Sequence, residues 1–323
     1  MRITTPLGWA AARWRLGPRA LRWGTTAALV VSVLIVLGGG VVRVTGSGLG
    51  CPTWPTCDGE SVILVVPDSI HLLIEQTNRM LTGLLIVAVG WAIVAARLQR
   101  PRDRVLTRLA WSQFWLVVAN AVAGGFTVLF KLSPWMVAVH FVLAIGLLAT
   151  ATLTWHRARA GLRQEHPPRA PRLARGLAWA LVSLTLLLIL VGTLVTGSGP
   201  HSGDSTDVPR MPFDWASVTV VHAVLGSGVL VLAIALLLAL RGYPLARRRV
   251  IAFIVVTVLQ GALGATQALT GLPEWQVALH LVGAALVWIG ALRVLLDTDT
   301  RLFAVHDVSA PRAAAEEPAV TAS

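Results

Sequence analysis

The sequence predicts an all-α integral membrane protein whose eight transmembrane helices form two pseudo-symmetric four-helix bundles. Of its 323 residues 55% are hydrophobic and 13% are charged, and the mean hydropathy is +0.73. Long apolar runs alternate with short polar stretches. Because hydrocarbon offers backbone N–H and C=O groups no partner, apolar runs of this length cross a membrane as helices.

Each apolar run approaches or exceeds the roughly 20 residues that a bilayer core demands. The first run follows a basic segment, as a secretory signal does, but it ends in Gly38, Gly39, Gly40 and Arg43 rather than at a small-residue cleavage site, so we expect a retained helix. The eight runs are placed at 23–42, 72–96, 109–130, 135–155, 174–196, 215–240, 250–269 and 275–296.

Arginines predict the orientation of the helices. The stretches 1–22, 97–108, 157–175 and 241–249 each carry four or more arginines, which is typical of cytoplasmic segments. We therefore expect a multi-pass membrane protein with both termini in the cytoplasm. The net charge of +12 does not indicate nucleic-acid binding, because no stretch interleaves aromatic and basic residues on one face.

An internal repeat divides the chain into two halves. VVRVTGSG at 41–48 and TLVTGSG at 193–199 close the first and fifth helices, and WMVAVHFVLA and WQVALHLVGA begin the fourth and eighth. Because the repeat spacing is four helices, both halves enter the membrane from the same side. The predicted parts are a cytoplasmic N-terminal segment (1–22), a first half (23–156), a cytoplasmic linker (157–173), a second half (174–296) and a disordered cytoplasmic tail (297–323).

Three histidines lie inside apolar runs, at His140, His222 and His280. Each falls about five to eight residues from the outer end of its run, so the three share a layer roughly 8 to 12 Å deep. Imidazoles at matched depth on facing helices are how a helical bundle holds a haem, and His222 and His280 make such a pair. The alternative is that each histidine only hydrogen-bonds a neighbouring helix.

The second helix carries Asn78 where the repeat predicts a fourth histidine. His71, Glu75, Asn78 and Arg79 share one face of that helix. Glu75 is either the ion-pair partner of Arg79 or a carboxylate that takes a proton or stabilises developing positive charge. Alternatively, Arg79 binds a carboxylate substituent of the haem ring. His71 lies about two turns too high to be a good substitute for the missing histidine.

Both cysteines lie in the first outer loop, in CPTWPTC. Cys51 and Cys57 are expected to oxidise if they lie outside the cytoplasm, and two free thiols are the alternative because spacing alone does not fix their geometry. No CxxCH motif is present, so a haem is not attached covalently.

Taken together, TGSGLGCPTWPTC, IEQTNR, VAVHFVLA, the second VTGSG, VVHAVLG and VALHLVG resemble haem A synthase of the bacterial cytochrome oxidase assembly pathway, from about residue 38 to residue 280. The resemblance implies an oxidoreductase that converts haem O to haem A by oxidising a ring methyl group to a formyl group. It also implies haem O synthase as a partner, since that enzyme makes the substrate, and a location in the bacterial cell membrane. Either a monomer or an oligomer in the lipid bilayer fits the sequence.

The resemblance also assigns roles to particular residues. It makes Glu75 the essential carboxylate of the first half and His140 an iron ligand of the haem O substrate. It makes His222 and His280 the axial ligands of a haem b.

The remaining assignments concern the outer loop and the departure from the family pattern. Cys51 and Cys57 match the family's cysteine pair, which the resemblance implies is a disulfide. Many members carry a second histidine where this chain has Asn78, followed by Arg79, so we expect one protein ligand on the substrate iron. An open iron position would make oxidation easier, which we prefer to a weakened activity or another substrate.

Two other functions fit parts of the sequence. A di-haem b membrane electron carrier would hold two stable haems and has no need of a carboxylate beside one of them, so Glu75 favours the enzyme. A transporter would suit the parallel repeat, but its helices tend to break near the midplane. The glycine clusters here lie mainly at helix ends.

Overall fold

The computed structural model describes residues 5–57, 69–160, 168–201, 203–204 and 208–302. Within them, eight helices are long and apolar enough to cross a membrane, which confirms the predicted number of spans and the all-α fold. The helices are α1 Pro6–Arg13, α2 Pro18–Val44, α3 Ile70–Arg97, α4 Arg104–Leu129, α5 Pro134–Ala160, α6 Arg172–Ser198, α7 Trp215–Ala239, α8 Pro244–Leu269 and α9 Glu274–Thr298.

Polar residues just outside the apolar runs set where several helices begin. Ser69, Asp103 and Asp214 each accept a hydrogen bond from a backbone amide in the first turn of α3, α4 and α7. Such caps satisfy N–H groups that have no partner inside the helix. For this reason α4 begins five residues before its apolar run, at Arg104.

The short helix α1 was not predicted from the sequence, because it has no long apolar run. Thr5 caps its first turn by accepting from the Gly8 amide. Arg100, in the connection between α3 and α4, donates to the carbonyls of Ala11 and Ala12 at the end of α1. The predicted cytoplasmic N-terminal segment therefore contains a helix that lies against the α3–α4 connection.

The eight long helices pack as two rings of four. In the first half α2 contacts α3 and α5, and α4 closes the ring between α3 and α5. In the second half α6 contacts α7 and α9, with α8 between them. The halves meet where α9 packs on α2 and α5, and the Trp288 indole N–H of α9 donates to the Ile145 carbonyl of α5 at 3.1 Å.

One end of the molecule, here called the arginine-rich end, is held by ion pairs between helices. Arg157 of α5 binds Asp103 at 2.6 Å. Arg249 of α8 binds Asp297 of α9 at 2.8 Å. The helices α5, α6 and α9 extend into the predicted linker and tail, while residues 161–167 and 303–323 of those segments lie outside the described residues.

The opposite end, here called the disulfide end, carries residues 45–57 and the α6–α7 connection. Cys51 and Cys57 form a disulfide there, which confirms the predicted pairing. The two connections also touch each other, because the Gly48 amide donates to the Gly203 carbonyl at 2.8 Å and Ser47 pairs with Asp204 in a short antiparallel bridge. Backbone contacts thus join the halves at this end.

Candidate functional site

Three histidines occupy one level of the bundle, near the disulfide end. His140 is the seventh residue of α5, His222 the eighth of α7 and His280 the seventh of α9. These three helices all begin at the disulfide end, and a helix rises 1.5 Å per residue, so each imidazole lies roughly 9 to 11 Å from the start of its helix. The three side chains are only partly buried.

A glycine on the preceding helix faces each of these histidines. A Cβ atom added to Gly124 would lie 3.3 Å from Cε1 of His140. The same distance would be 3.1 Å from Gly192 to His222 and 3.0 Å from Gly264 to His280. The absent side chain lets the imidazole ring lie against the backbone of the neighbouring helix. Sequence reasoning missed these partners, although a glycine inside a helix costs about 1 kcal/mol relative to alanine and so signals a packing role.

His222 and His280 face each other across the second half. Their ring centroids are 6.4 Å apart and their planes are inclined by 59°. Two imidazoles that bind one metal ion from opposite sides have ring centres about 6 Å apart, since each bond is about 2 Å and the ring centre lies about 1 Å beyond the nitrogen. The observed separation fits a pair of axial ligands.

The hydrogen bonding of His222 also fits metal ligation. The Nδ1 atom of His222 lies 3.1 Å from the Leu188 carbonyl, an arrangement in which Nδ1–H donates and Nε2 keeps its lone pair for a metal. The Nδ1 atom of His280 is buried without a hydrogen-bond partner. In the arrangement of His222 the ligating nitrogen is Nε2, so an unpartnered Nδ1 does not itself indicate a metal.

The first half offers a different set of side chains. Asn78 of α3 lies against Gly38 of α2, where an added Cβ would be 2.5 Å from its Oδ1, and that oxygen is buried without a partner. The contact resembles the histidine–glycine contacts but lies about one turn deeper in its half. The repeated TGSG motif begins at Thr45 and at Thr196, and Gly38 precedes the first by seven residues whereas Gly192 precedes the second by four.

Glu75 and Arg79 form the ion pair that their spacing allows. Nη2 of Arg79 lies 2.7 Å from Oε1 of Glu75, and the carboxylate is buried. The second carboxylate oxygen accepts a 2.6 Å hydrogen bond from the Cys51 amide. Each carboxylate oxygen therefore has a donor, which keeps the group in one place.

Arg79 also reaches into the disulfide-closed segment 51–57. Its guanidinium donates to the carbonyls of Thr56 and Thr53, each at 3.2 Å, and to that of Cys51 at 3.5 Å. These contacts use the fork of donors that distinguishes arginine from lysine. The predicted alternative in which Arg79 binds a ring carboxylate would have to compete with these loop carbonyls.

The same segment lies close to the His140 level. A Cβ on Gly125 of α4 would collide with the indole of Trp54, and Gly125 adjoins Gly124, which faces His140. The segment therefore contacts Glu75 on α3 and packs on α4 beside the residue opposite His140. Sequence reasoning did not predict these contacts, because they depend on how the loop folds back over the bundle.

The two remaining histidines among the described residues of this end have local partners. Nδ1 of His71 lies 3.1 Å from the Ser47 hydroxyl, in the first turn of α3. Nε2 of His201 lies 2.9 Å from the Leu272 carbonyl. His71 thus joins the connections at the disulfide end, one helical residue from the start of α3 and well above the histidine level.

A family described as cytochrome oxidase assembly protein matches residues 22–71 and 64–292. The chain is 28% identical over 201 residues to a heme A synthase of Lysinibacillus sphaericus, covering 60% of this chain and 62% of the relative. It is 28% identical over 203 residues to a heme A synthase of Exiguobacterium sibiricum, covering 60% of this chain and 66% of the relative.

A relative with a different name matches more of the chain. A protoheme IX farnesyltransferase of Thermus thermophilus is 30% identical over 290 residues, which cover 83% of this chain and 46% of the relative. The chain thus spans less than two thirds of the length of each of these three relatives.

Proposed function

The chain belongs to the cytochrome oxidase assembly protein family, and from this membership we propose that it is a haem A synthase that oxidises a ring methyl group of haem O to the formyl group of haem A. The net change adds one water oxygen to the methyl carbon and removes four protons and four electrons, which pass to an external acceptor. The observation that carries the proposal is the chemical difference between the two halves of an otherwise repeated fold.

The second half has the features of a permanent haem site. We propose that His222 and His280 hold a haem b, because their 6.4 Å separation suits two axial ligands and their flanking glycines fix the rings. When bound, this haem supplies one-electron transfer. The side chain three residues before His222 is Thr219, whose hydroxyl donates to the Trp215 carbonyl, so the described residues of this half have no counterpart of Glu75.

The first half has the features of a substrate site. We propose that His140 binds the iron of haem O while Glu75 presents a fixed negative charge to the carbon that is oxidised. In a site shielded from water, such a charge stabilises positive charge that develops on the substrate or accepts a proton from it. Arg79 and the Cys51 amide hold the carboxylate, and the disulfide segment covers it.

Asn78 makes the first half a weaker binder of iron. An amide oxygen is a much poorer iron ligand than imidazole, so the substrate iron has one strong protein ligand, His140. A single strong ligand suits a haem that must enter as substrate and leave as product. We therefore propose that Asn78 favours exchange, whereas the His222–His280 pair favours retention.

The location and partners are proposed on the same basis. The arginine-rich end faces the cytoplasm, with both termini, and the disulfide end faces outward, where oxidation of Cys51 and Cys57 is favoured. The relative named protoheme IX farnesyltransferase matches this chain over less than half of its own length, and the remainder leaves room for a second activity in one protein. This supports haem O synthase as the partner that delivers the substrate.

The proposal is tested by identifying the haems that the protein makes. Wild type, Glu75→Ala and Glu75→Gln are purified from cells that also make haem O, and their extracted haems are identified by mass. We expect haem A or its hydroxylated intermediate in wild type and only haems O and B in both variants. Haem B alone in all three, at two per chain, would leave a di-haem electron carrier as the function.

A further inference from the structure

Arg43 reaches from the first half of the protein into the second. It lies in the last turn of α2, at the disulfide end, and its Nη2 donates to the Thr196 carbonyl of α6 at 2.8 Å. Its side-chain stem passes Gly203 of the α6–α7 connection. The Nε–H of the same guanidinium is buried and has no hydrogen-bond partner.

Neighbouring contacts place Arg43 above the His222–His280 pair. Gly40, one turn before Arg43, lies against Ala278 and Leu281 of α9, which are two residues before and one residue after His280. Thr196 follows by one turn Gly192, which faces His222. The guanidinium therefore lies about one helical turn, roughly 5 Å, from the histidine level toward the disulfide end.

Among the described residues, no carboxylate forms an ion pair with Arg43. Within the described residues, Arg79, Arg157 and Arg249 each pair with a carboxylate, but Arg43 pairs with none. Arg210 adds a second positive charge, since it lies close enough to repel Arg43 and, among the described residues, donates to the Pro200 carbonyl. A guanidinium with a buried, unpartnered Nε–H and no carboxylate partner among the described residues is costly unless an anion binds it.

The repeat has no second copy of this arginine. Aligning VVRVTGSG at 41–48 with TLVTGSG at 193–199 on their shared TGSG places Leu194 opposite Arg43. By the symmetry of the halves, Leu194 is the residue that would reach toward the first half. A positive charge is therefore present above His222 and His280, and the corresponding position of the other half carries a leucine.

We propose that Arg43, assisted by Arg210, binds the propionate carboxylates of the haem held between His222 and His280, and so makes this haem the retained one. This inference rests on the proposed haem site of the second half. A haem carries two propionates, and a guanidinium binds carboxylate through paired charge-assisted hydrogen bonds. The substrate haem has Leu194 in place of this anchor, which leaves it free to exchange.

The test compares four proteins in detergent: wild type, Arg43→Leu, Arg43→Gln and Arg43→Lys. Arg43→Leu copies the residue of the other half, and Arg43→Gln can still donate to the Thr196 carbonyl but carries no charge. Arg241→Leu is the control, because Arg241 is exposed at the arginine-rich end. Transfer of haem b to excess apomyoglobin and the midpoint potential of the haem are measured for each protein.

We expect Arg43→Leu and Arg43→Gln to lose haem b at least about tenfold faster than wild type, since hydrogen bonds to charged groups are strong. Their midpoint potentials should be more negative, because removing a nearby positive charge favours ferric iron. Arg43→Lys should fall between, and Arg241→Leu should match wild type.

Two results would overturn the inference. Wild-type haem transfer and potential in Arg43→Gln, with only a lower unfolding temperature, would make Arg43 a structural tie to Thr196. Equal loss of haem b from Arg241→Leu would show a general charge effect. Because only haem b is followed, the result does not depend on whether wild type makes haem A, so failure of the proposed reaction would be seen separately.

Discussion

The backbone amide of Cys51 donates a 2.6 Å hydrogen bond to Oε2 of Glu75, so the disulfide segment and the buried carboxylate form one unit. Arg79 completes the unit by binding Glu75 and three carbonyls of the same segment. The position of the carboxylate therefore depends on a loop that the disulfide closes.

Removing the disulfide should impair chemistry in the first half alone. In the double variant Cys51→Ser, Cys57→Ser, segment 51–57 becomes more mobile and the backbone amide of residue 51 loses its hydrogen bond to Glu75. Haem A formation should then fall by about tenfold or more, as expected for a lost hydrogen bond to a charged group. Haem A yield and haem b content are measured per chain. Parallel loss of haem b would show general unfolding and contradict this local role.

Arg79→Lys should also reduce haem A formation, by roughly tenfold. A lysine ammonium can pair with Glu75 but cannot span the carboxylate and the loop carbonyls as the guanidinium fork does. The measurement is the ratio of haem A to haem O in extracts of the purified variant. A wild-type ratio would show that charge alone, without the fork, is sufficient at this position.

Asn78→His should convert the first half into a second retained site. Gly38 gives the ring room against α2, as glycines do for the three native histidines. We expect an additional low-spin haem spectrum, slower exchange of haem O and less haem A per chain. An unchanged spectrum together with wild-type haem A yield would show that residue 78 does not face the iron.

The glycines that face histidines should tolerate no added methyl group. Gly264→Ala would bring a Cβ to 3.0 Å from His280, so we expect lower haem b content. Gly261→Ala, one turn earlier in α8, is the matched control because a Cβ there meets nothing within 4 Å. This control should keep its haem and gain up to about 1 kcal/mol in helix stability. Equal haem content in both variants would contradict the packing role of Gly264.

The sequence was sufficient to predict the eight spans, because each requires only an apolar run of adequate length and the bilayer excludes other structures. Boundaries were less accurate: α8 begins at Pro244 rather than at residue 250. Proline fits the first turn of a helix, and the arginines that follow it extend the helix beyond its apolar part. The short helix α1 gave no such signal.

The site was predictable in part. Depth along a helix follows from counting residues, so His140, His222 and His280 could be placed at one level from the sequence. The contacts of Glu75 with the Cys51 amide, of Trp54 with Gly125 and of Arg43 with Thr196 could not, because each joins segments whose relative position is set by loop folding and helix packing. Only the Glu75–Arg79 pair was local enough to foresee.

The most direct test of the account is to identify and count the haems bound by His140→Ala and His222→Ala, purified from cells that make haem O. We predict that His140→Ala keeps one haem b and loses haem O and haem A, whereas His222→Ala loses haem b. If wild type instead held two haem b per chain and each variant lost one of them, the two halves would be equivalent haem b sites. That result would contradict the assignment of a substrate site to one half and a retained haem to the other.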